Sequence, residues 1–482
     1  MKKFLAICLS LCLAAALFAV PVLAEGETKE VADADALKQA ITDAGETAVT
    51  IKLTAPITAS ITIAKNQNIT LDLNGQTLTC EAGKDTITNE GTLVIVSSVE
   101  GGNVMGGTAN TASGRTALLN KQGAVCTLKS GALKRGDVQQ SGYYTVDNDG
   151  TLYMTGGEIS NDSNSSSLVR NRGSMNVTGG LVRQDSFIAL KNDEDTSNGI
   201  VGKLTIGGSA VIQSAGEQAV QNWGEATIEA GSITGEVFSW SYKGVNSTLD
   251  IKGGNIDGDV AGIDFEANKE STASVSISGG TVTGRVVVGN YSDGKVVSVE
   301  PDETSAKMEI SGGAYQNDVS KFVAEGSSEL VKASGGSRYQ VGQYTSSTQG
   351  VTAAAQLNGK SVYFEALNDA VTHAGVTGVT VTANATLTEE IPEDVNVTVL
   401  DGATLTAQGD LTGVTFSDGA KLVVPEGQTA TVGGKEYASG SYEAQKDGTL
   451  SKPETKPEEK PAEPAVPAPA PAKANPKTGV RA

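Results

Sequence analysis

Apolar and polar residues alternate along this chain in short runs, each closed by a glycine pair, and the same run keeps returning. It reads Asn148-Asp-Gly-Thr-Leu152-Tyr-Met154-Thr-Gly156-Gly157-Glu-Ile159, then Asn171-Arg-Gly-Ser-Met175-Asn-Val177-Thr-Gly179-Gly180-Leu-Val182. Looser copies are Leu249-Asp-Ile251-Lys-Gly253-Gly254-Asn-Ile256 and Val275-Ser-Ile277-Ser-Gly279-Gly280-Thr-Val282. Alternation with period two predicts strands with one buried face. Glycine pairs, or a small residue and a glycine, fall at 130–131, 156–157, 179–180, 207–208, 230–231, 253–254, 279–280 and 312–313. A spacing in the low twenties built from strands and glycine corners predicts stacked repeats. The expected fold is all-β: a right-handed parallel β-helix of about ten turns, roughly 50 Å long at one strand spacing per turn.

Two other periodicities bracket the repeats. Ala36, Leu37, Ala40, Ile41 and Ala44 recur at helical spacing, with Asp33 or Asp35 as N-cap and Gly45 as the stop, predicting an N-terminal helical cap over 25–48. Strand alternation follows over 49–320, first in Val49, Ile51 and Leu53 and then in Ile69 to Leu73 before Asn74-Gly75. Loops are expected at Asn192–Gly199 and Tyr291–Thr304. A smaller β-rich module is expected over 351–450, opening on helix spacing from Tyr363 to Ala374.

The two ends differ in kind. Lys2 and Lys3, the apolar run Leu5 to Val20 and the small-residue site Val22-Leu23-Ala24 read as a signal peptide over 1–24, with no retained transmembrane segment. Residues 452–474 are almost wholly Pro, Ala, Glu and Lys, which predicts a disordered, extended stalk of roughly 70 Å. Export also bears on Cys80 and Cys126. The repeat register sets them two turns apart, about 9.6 Å, beyond the roughly 7 Å that a disulfide allows, so two buried free thiols are expected.

With 36 basic and 56 acidic residues the chain carries a net charge of −20. That balance speaks against nucleic acid as a partner and suits a protein outside the cell.

The run Ile69–Leu78 and the glycine repeats resemble the pectate-lyase-like right-handed parallel β-helix superfamily, and within it the non-catalytic β-helix surface proteins and adhesins of gut Firmicutes. The resemblance covers about residues 30–320. Asn475-Pro476-Lys477-Thr478-Gly479, within 475–482, resembles a sortase motif of the Leu-Pro-x-Thr-Gly kind, although only Val480-Arg481-Ala482 follow where that family carries a hydrophobic span and basic tail. The resemblance implies cleavage between Thr478 and Gly479 and attachment to peptidoglycan, so secreted and cell-wall associated locations both stay open.

Candidate chemistry is sparse. Lyases and hydrolases of the resembled superfamily place carboxylates, and for lyases Ca²⁺ and an Arg or Lys base, on one outer sheet. Asp193-Glu194-Asp195 lacks the ligand spacing of a calcium loop, and Asp257, Asp259, Asp264 and Glu266 are the carboxylates placed to share a face. The single histidine, His373, is expected exposed on a polar helix face. No nucleophile elbow, Cys-x-x-Cys pair or phosphate loop occurs, and no catalytic residue, cofactor or metal ligand is nominated.

Asn89, Asn120, Asn148, Asn171 and Asn222 recur at one corner and are expected to form a structural ladder, plain turn chemistry being the alternative. Alternation puts Phe238, Trp240 and Tyr242 on one side of a strand, with Trp223 at the preceding corner. Facing out, they form a platform on which sugars stack, extended by Tyr143 or Tyr144; facing in, they are core. The leading expectation is therefore an adhesin-like protein binding glycans or host or bacterial surface proteins without catalysis. A polysaccharide lyase or hydrolase and a structural spacer are the alternatives.

Overall fold

The computed structural model describes residues 27–107, 116–135, 144–161, 166–195, 199–265 and 270–453. The signal segment, Tyr143, Glu266, the chain from residue 454 and the Thr478–Gly479 motif lie outside them.

The protein is all-β and built on long parallel sheets, as the alternation predicts. One sheet has twelve strands, starting with Glu27–Val31, Ala48–Leu53, Asn68–Asp72 and Thr92–Val96 and ending at Lys307–Ile310, each hydrogen-bonded in parallel to the next. Its register aligns Leu71, Ile95, Leu128, Met154, Val177, Ile206, Ile228, Ile251, Ile277 and Ile310 in one column. Every member is at most 1% exposed, so the period-two pattern and the repeat length together build a continuous core. After the glycine corner the chain adds two further strands per repeat. These pair in parallel with their equivalents before and after: Leu133 with Ile159 and Val182, then Val146 with Val169 and Leu190.

At the corner the two glycines have separate tasks. A Cβ on Gly179 would stand 2.5 Å from the Thr155 carbonyl oxygen of the preceding repeat, and Gly180 has φ +83°. The first position needs the close approach, the second the left-handed backbone.

A helix, Ala34–Ala44, closes one end. Asp33 accepts the Ala36 amide at 2.9 Å as its N-cap, Gly45 ends it at φ +53°, and Leu37, Ala40, Ile41 and Ala44 bury against the first strands. At the other end the pairing changes sense. Gly313–Tyr315 and Ser328–Val331 both pair antiparallel with Tyr339–Gly342, and Ser328–Val331 pairs in parallel with Lys360–Phe364. A second core begins at Val331 and runs to Leu450.

Several expectations are corrected. The stretch from Tyr363 is not helical: Lys360–Phe364 is a strand that sends Val362 and Phe364 into the second core, and the helix is only Leu367–Thr372. The two expected loops are hairpins, Glu194–Asp195 with Ile200–Val201 and Val286–Ser292 with Lys295–Ser298. Both cysteines are free, yet only Cys126 is buried and Cys80 is half-buried. The reason is register: Cys126 lies in the twelve-stranded sheet, whereas Cys80 follows Thr77–Thr79 of the other sheet, so the two never share a column. Burial pushes the Cys126 thiol well above its ordinary pKa. Among the described residues, no helix is long and apolar enough to cross a membrane.

Candidate functional site

Phe238 and Trp240 follow Val237 and precede Ser241 in the strand Ser232–Ser241. Val237, aligned with Val220 and Val260, joins the main core, so alternation turns Phe238 and Trp240 to the outside of the sheet. Outward does not mean open: the two are 5% and 4% exposed. They form a second small core with Ala261 and Ile263 from the next strand, and half-buried Trp223, Phe265, Val287 and Tyr291 close over it. Neither alternative read from the sequence describes this. Phe238 and Trp240 are neither a free sugar platform nor part of the main interior, because outward residues of adjoining repeats cover them.

The accessible part is the rim. Trp223 stacks on Trp240 with centroids 5.6 Å apart, and Phe265 stacks on Tyr291 at 4.9 Å. Tyr242 meets the Phe265 ring edge-on at 5.2 Å. Rings at these separations pack on one another, so the rim is a continuous aromatic wall.

On the same outward face, two residues before Phe238, lies a polar column. Register places Glu236 beside Gln218, then beside Asp259 and Arg285 of the following repeats. The Arg285 amide donates to Asp259 Oδ1 at 2.7 Å, and its Nε and Nη2 donate to Oδ2 at 3.0 and 2.6 Å. Partial desolvation, with the Asp259 charge adding to it, holds the Glu236 carboxyl above its ordinary range. Glu217, at the exposed bend one repeat earlier, is raised by desolvation and by Glu236. The face thus carries two carboxyls whose proton affinity is raised and one fixed carboxylate–guanidinium pair.

The remaining sequence candidates sit elsewhere. Tyr144 does not extend the patch: the Arg170 guanidinium lies 4.6 Å over its ring, and four repeats, about 19 Å, separate the strand that follows it, Val146–Asn148, from Ser232–Ser241. Asp257 accepts the Thr283 hydroxyl at 2.7 Å outside, whereas Asp264 is fully buried and accepts the Ser305 hydroxyl at 2.8 Å, so the two do not share a face. In the acidic loop Asp193 pairs with Lys191 at 3.0 Å and Asp195 lies 3.9 Å from Arg172. His373 is not an exposed helix-face residue. It lies just past the short helix, its side chain 8% exposed and packed on Phe364 at 5.5 Å. Among the described residues no three His, Cys, Asp or Glu side chains stand where they could hold a metal ion.

The asparagines at the corner are joined by side chain. Asn89 Nδ2 donates to Asn120 Oδ1 at 2.8 Å, Asn120 to Asn148 at 2.6 Å, Asn148 to Asn171 at 2.6 Å, Asn171 to Asn192 at 2.7 Å and Asn192 to Asn222 at 2.8 Å. All six are fully buried, and Asn222 passes the chain to Ser239 at 2.9 Å. Asn192 was missed because the hairpin inserted after it breaks the spacing to the next glycine pair. Glu236, Phe265, Arg285 and Tyr291 were missed too. Glu236 was legible as the outward residue two before Phe238; the other three take their places only through a register that hairpins interrupt. Compared with protein-family models, curated proteins and solved structures, the chain shows no match in any of the three.

Proposed function

We propose that this protein is an extracellular right-handed parallel β-helix, secreted or cell-wall associated, that binds glycans without cleaving them. The observation that carries the reading is the outward face on which the rim of Trp223, Tyr242, Phe265 and Tyr291 adjoins Glu236, Asp259 and Arg285. A sugar needs an apolar wall for its C–H face and fixed polar groups for its hydroxyls. The surface-protein resemblance and the sortase-like motif support display outside the cell. Trp223 and Trp240 are the chain's only tryptophans, so their emission reports on this face directly. Titration with pectic, plant, algal and mucin polysaccharides is expected to shift that emission saturably. Replacing Tyr291 by Ala is expected to weaken the effect about tenfold, roughly the worth of one aromatic contact. Unchanged emission with every polysaccharide, together with no retention on glycan columns, would leave a structural spacer as the reading.

One observation favours a second reading, a polysaccharide hydrolase or lyase. Glu217 and Glu236 are adjoining carboxyls with raised proton affinity beside Asp259 and Arg285, the composition of an acid–base pair. Mass spectrometry of polysaccharides incubated with the full chain separates the two. New oligosaccharides that vanish with Glu236→Gln would establish catalysis, unsaturated ends marking a lyase; intact polymer upholds binding.

A further inference from the structure

Beside the aromatic face, between the hairpin Val286–Ser292/Lys295–Ser298 and the segment 317–322, the chain forms a cleft of about 440 Å³. Val287, Val299, Pro301 and Phe322 give it apolar walls. Its charges do not cancel. Arg285 is engaged by Asp259, and Lys321 Nζ lies 2.6 and 2.8 Å from the two oxygens of Glu300. Glu303 and Asp318 also line the cleft, and among the described residues neither has a lysine or arginine partner. Among the described residues the Glu303 carboxylate accepts only the Glu300 amide, at 3.1 Å.

Asp318 is held in place from behind. Its Oδ1 accepts the Ser320 amide at 2.7 Å, and its Oδ2 lies 3.9 Å from His373 Nε2, a buried nitrogen with no hydrogen-bond partner. Glu329, fully buried behind it, accepts the Val319 amide at 3.2 Å through Oε1, while Oε2 has no donor. Burial and the facing Asp318 push the Glu329 carboxyl up to about 8. Glu329 is therefore an acid that holds a proton near neutrality, and Asp318 is the carboxyl that lines the cleft in front of it.

We propose that this cleft receives a lysine or arginine side chain of a basic protein partner. The aliphatic stem lies along Phe322 and the valines, and the cationic head sits by Asp318 and Glu303. A chain of net charge −20 draws such partners in. An amino sugar fits less well, because it has no aliphatic stem to lie along Val287, Val299, Pro301 and Phe322. The site goes beyond the glycan face and does not depend on it.

The test is calorimetric titration of the full chain with tetralysine at low ionic strength. Asp318→Asn combined with Glu303→Gln is compared with Glu426→Gln combined with Glu436→Gln, two exposed acids of the C-terminal hairpin. The cleft pair is expected to weaken binding about tenfold and the control pair less than twofold, since only the former faces the bound cation. His373 is the only histidine, so its imidazole proton resonances, free of overlap, are expected to move on binding. Equal weakening in the two double variants, or a stationary imidazole, would reduce the effect to diffuse attraction and overturn the site. Glucosamine competing as well as tetralysine would overturn the ligand class.

Discussion

A fully buried asparagine is tolerable only if its amide is satisfied, and here each member of the ladder satisfies the next. Asn171 accepts from Asn148 at 2.6 Å and donates to Asn192 at 2.7 Å and to the Lys203 carbonyl at 3.0 Å. Asn171→Ala removes one rung and leaves the buried Asn192 Oδ1 without its Asn171 donor, so it is expected to cost about 2–3 kcal/mol, measurable as a lowered urea midpoint. The position following each ladder asparagine alternates in charge as Glu90, Lys121, Asp149, Arg172 and Asp193 before ending in Trp223. Arg172 donates to both oxygens of Asp149, at 2.8 and 3.0 Å. Part of this was readable from sequence, since the asparagines stand at a near-constant distance before the end of the following strand. That the column passes through Asn192 and ends at Ser239 was not, because insertions of unlike length separate those repeats.

At the scale of the element, period-two alternation decides which side of a strand a residue takes, and the glycine corner decides where the strand stops. A side chain at Gly180 would force φ +83° on an L-residue and bring its Cβ 2.6 Å from the Gly157 carbonyl oxygen. Gly180→Ala is therefore expected to destabilise by about 1–3 kcal/mol, with Gly199→Ala as a comparison, because that glycine has φ +65° and open space around it. A thermal melt showing equal shifts for the two would mean that the close approach between repeats contributes nothing. Alternation also explains why the aromatic stripe was ambiguous. It assigns Phe238, Trp240 and Tyr242 to one side, yet says nothing about what the neighbouring repeats lay over that side.

For the whole molecule, the point of interest is where the long parallel body meets the C-terminal strands. Tyr339 packs against both cores, and Glu329 is buried between Tyr315, Asp318 and Tyr339. From about 4.5, the ordinary value, to about 8 the folded chain holds a proton on Glu329 that the unfolded chain has released. Stability should therefore fall as pH rises through that window and level off above it, by a few kcal/mol in all. Glu329→Gln is expected to flatten the slope; chemical denaturation between pH 5 and pH 9, roughly the bounds of the window, measures it. An unchanged slope in the variant would assign it to other groups.

Strand positions, corner glycines, the capping helix and the repeated asparagine were legible from the chain alone, because each rests on near neighbours or on a spacing that recurs. The burial of Trp240, the column of Glu236, Asp259 and Arg285, the burial of His373 and the paired acids at Glu329 were decided by tertiary structure. Each depends on which residue of one repeat lies over which residue of the next. Hairpins and insertions reset that register by amounts that local alternation does not encode, so side-of-strand follows from the sequence and side-chain environment only from the stack.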